Sequence, residues 1–339
     1  MKTHTTLLQR RVGATRAVRM KPIALVLSLA LAGMVLPARG ESDAPLRVGH
    51  FPNITHAQAL VARAMAREGR PWFEPRTGVK IEWFTYNAGP SAMEAIFANA
   101  IDLTYVGPNP ALNAHARSKG EEIRIIAGAA NGGAALVIQP GSTLKQPTDF
   151  RGKRIATPQL GNTQDVAARA WLANAGLRIT QTGGEALVLP TANPDQLSLF
   201  QQKKLDAVWT VEPWVSRLER EAGGVVLLEQ PDAVTTVLVA SAKAIAQRRE
   251  LASKFAAAHR ELTAWMQQNP AEAKRLVVAE LKELTRSEVA PDLVAAAWKR
   301  IHFTPDISRE TMEAFVADAK KVGFLRDVPA LDRFVQPLP

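Results

Sequence analysis

Short runs of apolar and β-branched residues alternate along the chain with longer stretches in which apolar residues recur every three or four positions. LRVGHF (46–51), KIEWFTY (80–86), LTYVG (103–107), IRIIAGA (123–129) and ALVIQ (135–139) read as strands. RIATP (154–158), ALVLP (186–190), AVWTV (207–211), VVLLE (225–229) and TTVLVAS (235–241) continue the series. Between them AQALVARAMAREG, SAMEAIFANA, TQDVAARAWLANAG and PDQLSLFQQKK carry helical spacing. From about residue 242 the strand signals stop and a helical tail follows, broken at Asn269-Pro270. QPGSTLKQPTDFRGK (139–153), rich in Pro, Gly and polar residues, reads as a crossover into a second α/β unit. No internal repeat or low-complexity segment interrupts this order.

Strand–helix alternation predicts an α/β architecture with mainly parallel sheets. In such sheets every strand exit lies on one edge, where ligands bind. The exits share a style. Thr55 and Gln58 have capping-box spacing, as do Ser91 and Glu94. In GPNP (107–110), Asn109 is placed as a helix N-cap with Pro110 at the first helical position. Gly161, Asn162 and Thr163 form a fourth corner, and Pro213 opens a fifth. Helix starts offer unpaired N–H groups and partial positive charge, and small residues let a ligand approach them. Polar corners without nucleophile, acid, base or metal ligand suit an anion cradle rather than a reaction centre.

Charge at first points elsewhere. The 339 residues carry a formal charge of +10 and are 47% hydrophobic, enough for about two domains. Seven of the 42 basic residues fall in residues 1–40, which hold no Asp or Glu; without them 35 basic face 32 acidic residues. The basicity belongs to that leader, and nucleic-acid binding loses its support. Basic residues followed by IALVLSLALAGMVL (23–36) and PARGES have the order of a signal peptide, starting at Met1 or Met20, rather than an anchor of spanning length. The mature protein is expected in the periplasm. The chain has no cysteine, so a lipoprotein anchor, disulfides and thiolate metal sites are excluded.

No G-x-S-x-G elbow, Walker A loop or H-E-x-x-H helix occurs. His50 and His56 straddle one corner without metal-ligand spacing. No catalytic residue, metal or cofactor is expected.

RVGHFPNITHAQAL, NAGPSAMEAIFANAIDLTYVGPNPALNAH, RIATPQLGNTQDVAARAWLANAGL and VWTVEPW resemble the periplasmic solute-binding proteins of ABC importers, of the nitrate/sulfonate/taurine type. The resemblance covers about residues 46–240. It implies a type II periplasmic-binding-protein fold: two α/β lobes joined by two crossovers, with the helical C-terminal tail added. Lobe 1 would be 45–137 plus 236–339, lobe 2 138–235, and 1–40 the signal peptide. It implies ligand contacts at Pro52, Asn53, His56, Gly89, Ser91, Gly107 and Pro108 from lobe 1, and Leu160, Gly161, Asn162, Thr163, Glu212 and Trp214 from lobe 2.

Within that set Ser91 and Thr163 combine a hydroxyl with a helix-start N–H, which suits an oxyanion. His56 reads as a contact or a capped surface histidine, and Trp214 as an alkyl-chain wall or a core residue. Glu212 reads either as a partner for the amine of a zwitterion or as a structural helix-start residue. The absence of Lys or Arg at these corners favours larger organic anions over nitrate. The implied function is capture of a small organic anion, an alkanesulfonate or taurine, by a monomer that meets the membrane only through the ABC permease. Nitrate, phosphonates and thiamine pyrimidine precursors remain alternatives. The thiamine-pyrimidine synthases have a similar fold, but their cysteine-rich motif has no counterpart here. A ligand-sensing DNA regulator would need a DNA-binding module where the leader stands.

Overall fold

In sequence order the chain forms β1 (Leu46–His50), α1 (Ala57–Arg67), α2 (Glu74–Thr77), β2 (Ile81–Thr85), α3 (Gly89–Phe97), β3 (Leu103–Val106), α4 (Pro108–Arg117) and β4 (Ile123–Gly132). There follow β5 (Ala134–Ile138), β6 (Arg154–Thr157), α5 (Thr163–Asn174), β7 (Leu187–Pro190), α6 (Asn193–Gln201), β8 (Ala207–Val211), α7 (Trp214–Ala222) and β9 (Val225–Glu229). The last part holds β10 (Val234–Ser241), α8 (Ala242–Gln268), α9 (Pro270–Thr285), α10 (Pro291–Trp298), β11 (Ile301–Phe303) and α11 (Arg309–Lys321). This computed structural model describes residues 44–339; the leader reading of residues 1–40 lies outside them. No helix among the described residues is long and apolar enough to cross a membrane.

All ten strands expected from the sequence form. They build two sheets, ordered β11-β4-β10-β3-β1-β2 and β7-β6-β8-β5-β9. The βαβ pairings β1–β2, β1–β3, β6–β7 and β6–β8 are parallel, as the alternation predicts. The strands that carry the chain between sheets enter antiparallel: β10 against β3 and β4, β5 against β8 and β9, with β11 on β4. Each sheet is therefore mixed. A strand arriving from the other sheet comes in from the opposite end and must run against its neighbours.

The passage between sheets differs from expectation. The Pro/Gly-rich stretch 139–153 joins β5 to β6 inside the second sheet, with a 3-10 turn at Pro147–Phe150 closed by a Gln146–Asp149 capping box. The chain changes sheets at Gly132-Gly133 and returns between β9 and β10. Both glycines have φ of +71°, a left-handed conformation that costs a side-chain residue energy. A methyl on Gly133 would also lie 2.6 Å from Ile301. Two such residues pass the chain from one sheet to the other in a space too short to register as a loop.

Each sheet is covered on both faces, which is why its strands read as continuous apolar runs; every residue of β3, β8 and β10 is buried. One face of the first sheet packs Val48, Leu60, Tyr105, Phe255 and Leu276, and Phe73 stacks on Phe255 at 4.1 Å. The other packs Ile96, Val106, Leu112, Ile125 and Phe334. The second sheet has Ile155, Leu172 and Trp209 on one side, Val137, Phe200 and Val208 on the other. Burying one such side chain stabilises the fold by about 1.5–3 kcal/mol.

The tail departs from the all-helical reading at β11, whose three residues are too few for a periodic signal. Helix α8, read as one run, has non-helical backbone at Arg248, whose guanidinium donates to the carbonyls of Ala44 and Pro45. Side-chain oxygens of Asn162, Ser241 and Ser308 cap α5, α8 and α11 respectively.

Candidate functional site

The carboxyl ends of β1, β2 and β3 face those of β6 and β8, and the corners that follow them enclose a cavity. Phe51, Asn53, Thr55, Asn87, Ala88, Gly89, Gly107 and Pro110 line it from the first half; Pro158, Asn162, Thr163, Gln164 and Val211 line it from the second. Thr235, at the start of β10, completes it. The cavity measures about 20 Å³, space for about one water molecule. The two walls nearly touch: the Asn109 N–H donates to Thr163 Oγ1 at 3.4 Å, and Gln159 Nε2 donates to Ser91 Oγ at 3.2 Å. Anything larger than a water molecule needs these walls to part.

Which donors face the cavity follows from helix-start chemistry. Helix α4 begins at Pro108 with Gly107 as N-cap, two residues earlier than the expected cap Asn109. Its first three residues thus include Pro108 and Pro110, which have no N–H. The remaining one, on Asn109, is taken by Thr163. The GPNP corner is a wall with few donors to give. Helix α3 starts at Gly89, with Ala88 as N-cap, so the N–H groups of Gly89 and Ser91 lack intrahelical partners. On α5 the same holds for Thr163 and Gln164, while Asp165 N donates to Asn162 Oδ1 at 2.8 Å. The amides of Asn53, Asn87, Asn162 and Gln164 and the hydroxyls of Thr55, Thr163 and Thr235 add neutral polar groups. Among the described residues lining the cavity none is charged.

A buried ion pair fixes the α5 corner from beneath. Arg169, itself buried, donates to Asp165 through Nε at 3.0 Å and Nη2 at 3.1 Å. Asp165 also accepts from Thr157 Oγ1 at 2.8 Å and Gly161 N at 2.9 Å. Four donors on one carboxylate hold the turn 157–165 in one shape.

Of the residues singled out in the sequence, Asn53, Gly89, Gly107, Asn162 and Thr163 meet at the cavity. Ser91 is half-buried beside it, bonded to Gln159 rather than capping α3, and Glu94 pairs with Arg117 at 2.5 Å. Pro108 turns the chain into α4 without lining the cavity. The Thr55–Gln58 capping box does not form: Thr55 lies in a 3-10 turn, and Gln58 Nε2 donates to Ala129 O and Thr263 Oγ1. His56 is buried against Phe51, ring centroids 4.3 Å apart, and its Nδ1 accepts from the Phe51 N–H at 3.3 Å. Burial holds its pKa well below the usual histidine value. A surface histidine is therefore replaced by a packed neutral one. Burial likewise pushes His50 down to about 3, aided by Arg63.

Leu160 and Gly161 face a separate groove with Pro90, Asn113 and Phe324; Leu160 is 41% exposed. Glu212 is fully buried, and its carboxylate accepts from Ser216 Oγ at 2.9 Å, Ser216 N at 3.1 Å and Arg300 Nη1 at 3.0 Å. Burial raises its pKa; the bonds from Ser216 and Arg300 oppose the rise. Its main chain ties the two halves, the carbonyl accepting from Ile54 N and the N–H donating to Gly133 O. Trp214 is buried, donates from Nε1 to Asn53 Oδ1 at 3.3 Å, and with Pro52 lines a second pocket of about 130 Å³. Asn87, Gln164 and Thr235 were missed. Asn87 lies two residues before Gly89 and Gln164 one after Thr163, whereas Thr235 arrives on a strand 71 residues beyond Gln164 and has no local signal.

Residues 39–281 match the NMT1-like family. Over 170 residues the chain is 24% identical to a taurine-binding periplasmic protein of Escherichia coli (strain K12), spanning 50% of this chain and about half (51%) of that protein. A putative aliphatic sulfonates-binding protein of the same organism is 25% identical over 215 residues, 61% of this chain and 63% of that protein. The alkanesulfonate-binding protein SsuA from Xanthomonas axonopodis pv. citri, solved bound to MOPS, superposes with a TM-score of 0.69 at 18% identity, covering 86% of this chain and 98% of that one. This likeness shows the expected fold, that of periplasmic binding proteins.

Proposed function

This chain belongs to the NMT1-like family, and we propose that it is the solute-binding component of an ABC importer, working in the periplasm and capturing a small organic anion. The solute is an alkanesulfonate or taurine. The two sheets are the cores of the two lobes, whose boundaries fall at Gly132-Gly133 and between β9 and β10 rather than at 137–138 and 235–236. An open cleft admits the anion, the lobes close over it, and the closed form docks on the permease.

One observation carries the reading: an uncharged cavity between opposed strand exits, with helix-start N–H groups and neutral side-chain donors on both walls. Such a site stabilises negative charge by oriented dipoles without fixing a cation beside it. It contains no side chain suited to breaking a bond, so the protein binds and releases its solute unchanged. The names of the sulfonate- and taurine-binding relatives support the same class. Because Arg300 already pairs with Glu212, the amine of taurine has no carboxylate waiting, which favours plain alkanesulfonates. Ser91, Asn162 and Thr163 are the contacts expected to matter most.

The test is thermal unfolding of residues 41–339, freed of bound solute, with ethanesulfonate, taurine, nitrate, sulfate, methylphosphonate and a pyrimidine. A ligand at a hundred times its dissociation constant adds about 2.7 kcal/mol. Stabilisation by the sulfonates above the others supports the reading. Stabilisation by nitrate or the pyrimidine alone replaces the solute, and a flat response to every compound removes the proposed class.

A further inference from the structure

Helix α5 is apolar on two faces. Ala168 and Leu172 pack into the core of the second sheet with Phe150, Ile155 and Trp209. Val166 and Ala170, with Ala173 beside them, join a different cluster, which also holds Met312 and Ala319 of α11 with Val322 and Leu325 just past it. Positions 166, 170 and 173 are spaced i, i+4, i+7 and form one stripe. The first stripe satisfies the second sheet. The other has its partner in α11, a helix whose ends are tied to the first sheet.

Those ties are backbone bonds. Before α11, Gly128 N donates to Pro305 O at 2.7 Å. After it, Ile125 N donates to Phe334 O at 2.7 Å and Gln336 N to Ile125 O at 2.9 Å. Phe334 is fully buried there, its ring 4.5 Å from that of His115. Between the anchors, Gln181 Nε2 donates to Gly323 O at 3.1 Å, and the Phe324 ring rests against Gly161. The segment thus leaves the first sheet, crosses α5 and returns. The first turn of α5 supplies Asn162, Thr163 and Gln164 to the cavity. Residues 309–339 lie beyond the segment matched to the family.

We infer that α11 is a strap that holds the two halves closed over the solute site and so sets how tightly solute is held. Parting the halves uncovers the stripe Val166–Ala170–Ala173 and its partners on α11, apolar surface that favours staying packed. A site competent only when closed binds with an apparent affinity scaled by the closed fraction. The inference rests on the two-lobed reading above.

The absence of cysteine allows clean labelling of Ala98→Cys, at the end of α3, and Gln202→Cys, at the end of α6, both exposed. The distance between spin labels at these sites reports lobe separation with no ligand present. The otherwise unaltered chain should give mainly one short distance. Ala170→Glu places a charge in the strap contact and should add a longer-distance population. Ala173→Glu, at the half-buried end of the stripe, should do so more weakly and decides the matter if the first variant does not fold. Distance distributions unchanged in a variant that is folded by circular dichroism would overturn the strap. Because no solute enters the measurement, an error in the proposed solute leaves this result intact, and failure of the strap leaves the solute reading intact.

Discussion

Thr163 Oγ1 accepts a hydrogen bond from the backbone N–H of Asn109, 3.4 Å away and on the opposite wall of the cavity. The N-cap of the same helix, Gly107, stands so near that a methyl group on it would overlap Thr163 Oγ1. The contact brings together residues 54 apart in sequence and holds the two walls against each other.

Gly107→Ala should wedge the walls apart. Gly107 has φ of −68°, which alanine adopts freely, so the variant should fold with a stability change of about 1 kcal/mol or less. Solute affinity measured calorimetrically should drop at least about tenfold, the equivalent of 1.4 kcal/mol. Affinity equal to the parent's would show that closure does not pass through this contact.

Asn87 and Gln164 should matter as much as the contacts recognised in the sequence. Removing a neutral donor to a charged ligand costs about 1.5–3 kcal/mol. Asn87→Ala and Gln164→Leu should each weaken sulfonate binding by roughly ten- to a hundredfold. Leu160→Ser, in the outer groove, should leave it unchanged. Titration of the three variants with one sulfonate checks the order, and a Leu160→Ser effect as large as the others would place the solute elsewhere.

Arg300 neutralises Glu212 and also bonds Glu219 at 2.9 Å and Glu229 at 2.8 Å. Arg300→Met leaves a buried carboxylate without its cation and should destabilise the protein by about 3–5 kcal/mol in urea unfolding. Glu212→Gln keeps an acceptor for Ser216 and should cost less. It should also leave the ratio of taurine to ethanesulfonate affinity unaltered; a taurine-specific loss would return Glu212 to the binding site.

His259 is buried with its Nε2 2.8 Å from Gly128 O and its Nδ1 3.0 Å from the Tyr105 hydroxyl. The arrangement fits a neutral ring that donates to the carbonyl and accepts from the phenol. Burial lowers its pKa to about 4, below the unfolded value. The unfolded chain therefore takes up the proton first as pH falls, and stability contributed above pH 6.5 is lost between there and about 4. Urea unfolding at pH 7.5 and pH 5 should show the decline. His259→Gln should flatten it by up to about 1.4 kcal/mol per pH unit; an unchanged slope would assign the decline to other groups.

How much of this was legible beforehand depends on whether the signal is local. The apolar runs of β1 to β10 and the helical spacing of α1, α5, α9 and α11 follow from burial on one or two faces, and burial writes itself into adjacent residues. The corners were legible for the same reason, since glycine, proline and small polar residues cluster where strands give way to helices. Cap positions were less so: α3 begins three residues and α4 two residues before the expected site, because prolines at their starts can serve on either side of a helix boundary.

The sequence by itself therefore determined two α/β units, a helical tail and an uncharged set of corners able to hold an anion. Only the tertiary structure decided which corner residues share the cavity, that His56 is packed away, and that Glu212 is spoken for by Arg300, 88 residues on. It also decided that the second apolar stripe of α5 has its partner in α11, which starts 146 residues after α5 does. Such pairings join segments with no sequence relation to one another; their energy comes from excluding water and matching charge across the folded interior, and no local pattern encodes it.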